Sequence, residues 1–130
     1  MTLEPQSLAP GEEASRPATL DPKMLDRIRQ VRGGGDGFFR DMVELFTTEA
    51  SSRVRQLGDA LDLQDRTAAA EVAHGLRGTS ATFGALRLAQ LCERIEELGQ
   101  VGEMPAAREL FPLVESELSA VTRELAAQLD

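Results

Sequence analysis

The sequence contains no tryptophan or tyrosine, and its only aromatic residues are five phenylalanines. It has one cysteine, Cys92, and one histidine, His74. A single cysteine cannot form a disulfide within the chain and fits a reducing cytoplasm. One histidine and one cysteine are too few ligands for a zinc site. We therefore expect the chain to bind no metal or cofactor of its own.

Long apolar runs and an excess of basic residues are also missing. No apolar stretch reaches the roughly 18 residues of a membrane span, and the N-terminus does not have the pattern of a secretory signal. Lys and Arg total 14 against 22 Asp and Glu, which gives a net charge of −8. An acidic protein repels phosphate backbones, so nucleic acid is not an expected partner. These absences favour a cytoplasmic protein that binds neither membrane nor nucleic acid.

Alanine and leucine dominate the composition and strand-favouring residues are few, which predicts an all-α fold. Residues 1–20 carry three prolines and no helical pattern, and we interpret them as a disordered tail. Residues 21–130 are expected to form one helical domain. Within it, a short helix begins at Asp21 and Pro22 and ends at the glycines of residues 33–35.

Four longer amphipathic segments follow the glycine-rich break, and the turns between them are short. Such short links predict an antiparallel four-helix bundle, with the extra N-terminal helix covering one end. A full bundle within one chain makes a monomer the simpler expectation. The turn after the fourth helix of the chain is expected at Gly99 and Gly102. The predicted long helices span residues 37–61, 65–84, 86–98 and 105–128.

His74 lies on the polar side of the second long helix. Apolar or small residues recur there at spacings of three and four and define the buried face. At about 100° per residue, His74 points about 150° away from the middle of that face, with Arg77 one turn on. The imidazole is therefore expected to be exposed beside a guanidinium group. The residues of the buried face are Ala69, Val72, Ala73, Leu76, Ser80 and Phe83.

The residues around His74 are unusually small for a helix. Gly75 and Gly78 each cost about 1 kcal/mol relative to alanine. Helix stability gives no reason for these glycines, whereas the close approach of a large partner to an exposed nucleophile does. The small residues in question are Ala70, Gly75, Gly78 and Ala81.

Most kinds of histidine chemistry fit this surface poorly. General-base catalysis needs a cleft and usually an orienting carboxylate, but a helix face is convex and Glu71 lies more than a quarter-turn from Arg77. No serine or cysteine nucleophile is evident within reach. Direct nucleophilic use of the imidazole remains, because histidine largely keeps a free lone pair at neutral pH. A phosphoryl group placed there adds about two negative charges, which a nearby arginine stabilises.

Residues 73–85 resemble the signature of histidine-containing phosphotransfer (HPt) domains, written His-x-Leu-Lys-Gly followed by small residues and Gly-Ala. Two departures stand out: Arg77 replaces the usual lysine, and Gly75 stands where a larger residue is more common. The downstream helix, with Leu88, Cys92, Ile95 and Glu96, is also similar to the family. The resemblance covers residues 36–129. The matching signature residues are His74, Leu76, Gly78, Gly84 and Ala85.

The resemblance implies a four-helix bundle that carries phosphoryl groups between the aspartate of a receiver domain and a histidine. His74 would accept and donate the phosphoryl group, Arg77 would stabilise it, and Gly78 would leave room for it and for the partner. Receiver domains of response regulators would dock on the small residues Ala70, Gly75 and Ala81. No nucleotide-binding sequence is present, so no ATP-dependent autophosphorylation is expected, and Mg²⁺ would come from the receiver.

Two alternatives remain open. The chain could be an adaptor that binds receiver domains without chemistry, or it could be the HPt segment of a larger hybrid histidine kinase. Met1 and the absence of any kinase sequence favour a free-standing protein that works with a separate sensor kinase.

Overall fold

The computed structural model of the protein describes residues 20–30 and 36–129. Its described part contains five α-helices and no strand, which confirms the predicted all-α class. The predicted tail (residues 1–20) and the glycine break (residues 33–35) lie outside the described residues, except for Leu20, which is buried. The helices are α1 (Pro22–Gln30), α2 (Asp36–Asp62), α3 (Arg66–Thr82), α4 (Leu86–Gln100) and α5 (Met104–Ala127).

Helices α2 to α5 form the predicted four-helix bundle. Each packs against the next in the chain, and α5 returns to α2, which closes the ring of neighbours. The links are the short segments 63–65, 83–85 and 101–103, so consecutive helices run in opposite directions. The most extensive helix pair is α3 with α4.

The helix ends follow the capping residues closely. The Asp65 side chain accepts a hydrogen bond from the Ala68 backbone N–H at 3.1 Å and so caps α3. Gly84 has φ +75°, a left-handed conformation suited to the α3–α4 turn. The prediction that Gly99 lies in the next turn was wrong, because α4 runs on to Gln100 and Gly102, at φ +82°, makes the turn. Gly99 instead sits buried within the helix.

The core lies between the four long helices, with α1 covering one end. Phe46 of α2 and Phe83 pack with their ring centroids 4.8 Å apart. The start of α1 is held on the α3–α4 turn by a 2.8 Å hydrogen bond from the Asp21 N–H to the Gly84 carbonyl. Leu25 of α1 is buried in the same core. The short N-terminal helix thus takes its predicted place.

The register of α3 against α4 determines which residues of α4 lie beside His74. At the start of α3, the Arg66 side chain donates to the Gly99 carbonyl at 3.2 Å and to the Gln100 carbonyl at 2.9 Å. A Cβ added at Gly99 would lie 3.9 Å from the Cβ of Ala70, an ordinary van der Waals separation, so Gly99 faces Ala70 across the α3–α4 interface. This anchoring brings the middle of α4 beside the middle of α3, where His74 lies. Within the described part of the chain, no helix has the length and apolar character needed to cross a membrane.

Candidate functional site

His74 stands on the outer face of α3, in the middle of the helix. Its side chain is 62% exposed, whereas Ala73, Leu76 and Ser80 on the opposite face are fully buried. The helical spacing therefore predicted the orientation of the ring correctly. An imidazole in this position is accessible to another protein.

Glu96 of α4 supplies the carboxylate that sequence analysis did not find. Its Oε2 lies 3.0 Å from Nδ1 of His74, and its Oε1 lies 3.4 Å from Nε of Arg77. The Glu96 side chain is only 15% exposed, so this carboxylate is well shielded from water. The sequence did contain an indication of this position, but on another helix. Glu96 directly follows the buried Ile95, at the edge of the apolar face with which α4 packs on α3. The residue pattern of α3 alone does not indicate this carboxylate.

Two neighbours compete for Nδ1 of His74. Besides Glu96 Oε2, Nη2 of Arg77 also lies 3.0 Å from this nitrogen. Nδ1 can either donate a proton to the carboxylate or accept one from the guanidinium, but not both. An unprotonated Nδ1 would turn its lone pair towards the negative Oε2, whereas a protonated one gives the carboxylate a donor and leaves Arg77 paired with Glu96. We therefore assign the proton to Nδ1.

This assignment determines the state of the other ring nitrogen. When Nδ1 of a neutral imidazole carries the proton, Nε2 has the free lone pair. Glu96 holds the Nδ1 side of the ring, so Nε2 is left as the nucleophilic atom. The arrangement of His74, Glu96 and Arg77 is suited to orienting an imidazole for attack on an electrophile brought by a partner.

Arg77 lies against the Glu96 side of the ring in this structure. Its side chain is 37% exposed, and its Nε is buried at ion-pair distance from Glu96 without forming a hydrogen bond. The positive charge expected beside His74 is therefore present, and Glu96 partly offsets it.

The small residues around His74 occupy different surroundings. A Cβ added at Gly78 would meet no neighbouring atom within 4 Å, and Ala81 one turn on is exposed. Ala70 is half-buried and faces Gly99 of α4. A Cβ added at Gly75, by contrast, would lie 2.6 Å from Nη1 of Arg53. The interpretation that the glycines leave open space therefore holds for Gly78 and needs revision for Gly75, whose space is occupied by an arginine from α2.

The remaining candidate groups lie away from this surface. Cys92 is fully buried, as its place on the apolar face of α4 predicts, and burial raises the pKa of its thiol to about 12. Within residues 20–30 and 36–129, no three His, Cys, Asp or Glu side chains are grouped so that they could hold a metal ion. The exposed His74 imidazole is therefore the candidate nucleophile in the described part of the chain.

An exposed, carboxylate-oriented histidine on a four-helix bundle is the arrangement expected of a phosphoryl carrier, and comparison with known proteins agrees. Residues 41–124 match the Hpt domain family, and the chain belongs to this family. The crystal structure of histidine-containing phosphotransfer protein B from Pseudomonas aeruginosa PAO1 superposes with a TM-score of 0.79 and 28% sequence identity. The superposition covers 85% of this chain and 94% of that one.

A curated protein from another organism is also similar. Multistep phosphorelay regulator 1 of Schizosaccharomyces pombe is 26% identical over an alignment of 109 residues, and the match covers 78% of this chain. The match spans 37% of the length of that relative. Family, fold and relatives together support a phosphotransfer carrier role in phosphorelays.

Proposed function

We propose that His74 is the residue that carries the phosphoryl group. The observation that supports this proposal best is the 3.0 Å contact between Nδ1 and Glu96 Oε2 on a ring that is 62% exposed. The carboxylate keeps the proton on Nδ1 and so leaves the Nε2 lone pair facing the partner. A histidine that is merely solvated at the surface would not need a carboxylate shielded to this extent beside its ring.

The transfer step proposed here is a reversible displacement at phosphorus. The Nε2 lone pair forms a bond to the phosphorus of a phospho-aspartate, and the bond between phosphorus and the aspartyl oxygen breaks, with its electron pair leaving on the carboxylate. The ring becomes positively charged as the N–P bond forms, and Glu96 stabilises that charge through the Nδ1–H hydrogen bond. Transfer to the next aspartate runs through the same atoms in reverse.

The other residues of the surface have supporting roles in this proposal. Arg77 adds positive charge beside the phosphoryl group, and Gly78 leaves the space into which that group and the partner fit. The small side chain of the exposed Ala81 lets a flat partner surface approach α3, whereas Gly75 is covered by Arg53 and Ala70 faces α4, so neither is kept as an open docking position. This convex helix face does not supply the phosphoryl donor or the metal ion that phosphoryl transfer also requires.

Those remaining elements are assigned to the partners. We propose that response-regulator receiver domains bring the phospho-aspartate together with Mg²⁺, which neutralises the charge developed in transfer. A sensor or hybrid histidine kinase would be the original source of the phosphoryl group. With such partners, the proposed site of action is the cytoplasm.

The test is transfer of label from a phosphorylated receiver domain. Incubation with the ³²P-labelled receiver should give acid-labile label on this protein, and His74→Gln should abolish it. Label retained by His74→Gln would reject the assigned site. Receiver binding without label on the unmodified protein would instead favour an adaptor that performs no chemistry.

A further inference from the structure

The space left by Gly75 is filled by a residue from another helix. An ideal Cβ at Gly75 would lie 2.6 Å from Nη1 and 3.6 Å from Cζ of Arg53, distances at which the guanidinium could not stay in place. The Arg53 side chain therefore reaches from α2 across the surface of α3 at the residue next to His74. Any larger residue at position 75 would push this guanidinium away.

Helical geometry places Arg53 on the opposite flank of the imidazole from Arg77. Successive side chains on a helix are rotated by about 100°, so Gly75 lies about 100° to one side of His74 and Arg77 about 60° to the other. Arg77 and Glu96 occupy the flank facing α4, and Arg53 occupies the flank facing α2. The open surface of Gly78, which lies about 40° from His74, is on the Arg53 side.

The two arginines differ in how much of their charge is available. Arg77 lies against the shielded carboxylate of Glu96. Arg53 is 38% exposed and contacts the half-exposed Glu49 only through Nε, at 3.4 Å. Neither terminal nitrogen of Arg53 has a hydrogen-bond acceptor among the described residues. These Nη groups form a pair of donors beside the nucleophile, an arrangement suited to binding phosphate oxygens.

We propose that Arg53 binds the phosphoryl group carried by His74 and that Gly75 is present to admit it. This inference rests on the proposed function, because it requires phosphorylation of His74. A phosphoryl group on Nε2 would then lie between Arg53 on the α2 side and the open surface of Gly78. Arg53 is thus a ligand of the carried group, supplied by a helix outside the histidine motif.

The phosphoryl group itself can report this contact without any partner protein. Phosphoramidate, a small phosphoryl donor, phosphorylates the protein, and ³¹P NMR follows the titration of the attached group with pH. A nearby guanidinium favours the more negative form. Arg53→Gln should therefore move the titration midpoint upward by about half a pH unit or more. Arg55→Gln is the matched control: it removes the same charge from an exposed position about 200° around the same helix and should cause little change.

Gly75→Ala provides an independent test, because its two expected effects have opposite signs. Alanine favours the helix, and only the flexible end of Arg53 has to move, so the Tm should rise by about 4 °C. The displaced guanidinium should nevertheless shift the phosphoryl titration upward, as Arg53→Gln does. The double variant should shift it no further than either single change. Additive shifts would contradict the link between the two residues.

The outcomes separate this inference from the proposed function. If phosphoramidate labels His74→Gln as well as the unmodified protein, the proposed site itself is wrong. If labelling requires His74 but Arg53→Gln and Arg55→Gln give the same titration midpoint, only the role of Arg53 is overturned. The latter result, combined with weaker binding of the unphosphorylated receiver by Arg53→Gln alone, would assign Arg53 to partner docking instead.

Discussion

Glu96 offers a sharp test of how this surface prepares its nucleophile. Its Oε2 accepts the Nδ1 proton of His74 at 3.0 Å, while Nη2 of Arg77 lies at the same distance from the same nitrogen. Glu96→Ala removes the acceptor and leaves the guanidinium. Arg77 can then donate to Nδ1, which moves the ring proton to Nε2 and ties up the attacking lone pair. We expect this variant to fold and to accept phosphoryl groups slowly.

The size of the effect follows from the hydrogen bond that is lost. A hydrogen bond to a charged group contributes about 1.5–3 kcal/mol, and the lower value applies because water competes at a ring that is 62% exposed. A change of about 1.5 kcal/mol corresponds to roughly a tenfold slower reaction. Glu96→Gln keeps a carbonyl acceptor for Nδ1–H, so its rate should lie in between, about threefold below that of the unmodified protein.

In the Glu96→Ala variant, Arg77 should slow the reaction of His74, whereas in the unmodified protein it should support it. Without Glu96, the hydrogen bond from Arg77 to Nδ1 stabilises the unreactive tautomer of the ring. Adding Arg77→Ala to Glu96→Ala should therefore restore part of the lost rate of labelling by phosphoramidate. The same Arg77→Ala change in the unmodified protein should slow transfer. Opposite signs for one substitution in two backgrounds would be hard to explain by altered folding.

Two measurements together decide the matter. The rate of labelling by phosphoramidate measures the reactivity of His74 towards a small donor. The ¹⁵N NMR spectrum of the imidazole shows which ring nitrogen carries the proton. Glu97→Ala, which removes the same charge from an exposed neighbouring position on α4, is the control and should change neither. A ring that stays protonated on Nδ1 in Glu96→Ala, with an unchanged labelling rate, would refute the orienting role of the carboxylate.

Three further predictions concern other positions. Gly78→Leu should slow transfer from a receiver domain far more than labelling by phosphoramidate, because the leucine side chain obstructs a large partner surface and only crowds the phosphoryl group itself; equal losses in both assays would contradict a role in partner clearance. Ser80→Ala should raise the free energy of unfolding by about 1 kcal/mol in urea, since the buried hydroxyl has no hydrogen-bond partner; a decrease would indicate that it has one. Burial raises the pKa of Cys92 from 9.0 to about 12, so the unfolded chain releases this proton first. As the pH rises from 9.0 to about 12, the free energy of unfolding should therefore fall by up to about 1.4 kcal/mol per pH unit more than it does in Cys92→Ala.

The fold could be predicted largely from local patterns. Each long helix has a regular apolar face, and capping residues such as Asp65 and Gly84 mark helix ends through backbone chemistry that acts over a few residues. Gly99 misled the prediction because a glycine can also lie within a helix, and its buried position opposite Ala70 exists only once α3 and α4 have paired. A single sequence does not distinguish these two uses of glycine.

The functional surface was predictable only in part for a related reason. His74, Arg77 and Gly78 lie on one helix, so helical spacing alone places them on one face. Glu96 and Arg53 reach the same surface from α4 and α2, through the register of whole helices. Residues contributed by other elements leave no periodic pattern in the motif itself. The exposed histidine was therefore evident from the sequence, whereas the residues that other helices place around it were not.

The two departures of this chain from the usual HPt signature are physically connected. An arginine at position 77 has a wide planar group, which here lies against Glu96 and Nδ1 and so directs less of its charge towards Nε2. Gly75, a costly residue within a helix, makes room on the other flank for the guanidinium of Arg53. The position of the second cation thus compensates for the engagement of the first. Gly75→Ala should consequently slow phosphoryl transfer by this chain. Adding Arg77→Lys to Gly75→Ala should recover part of that loss, because the compact ammonium group of lysine can turn towards the phosphoryl group. A double variant no faster than Gly75→Ala would contradict this link between the two positions.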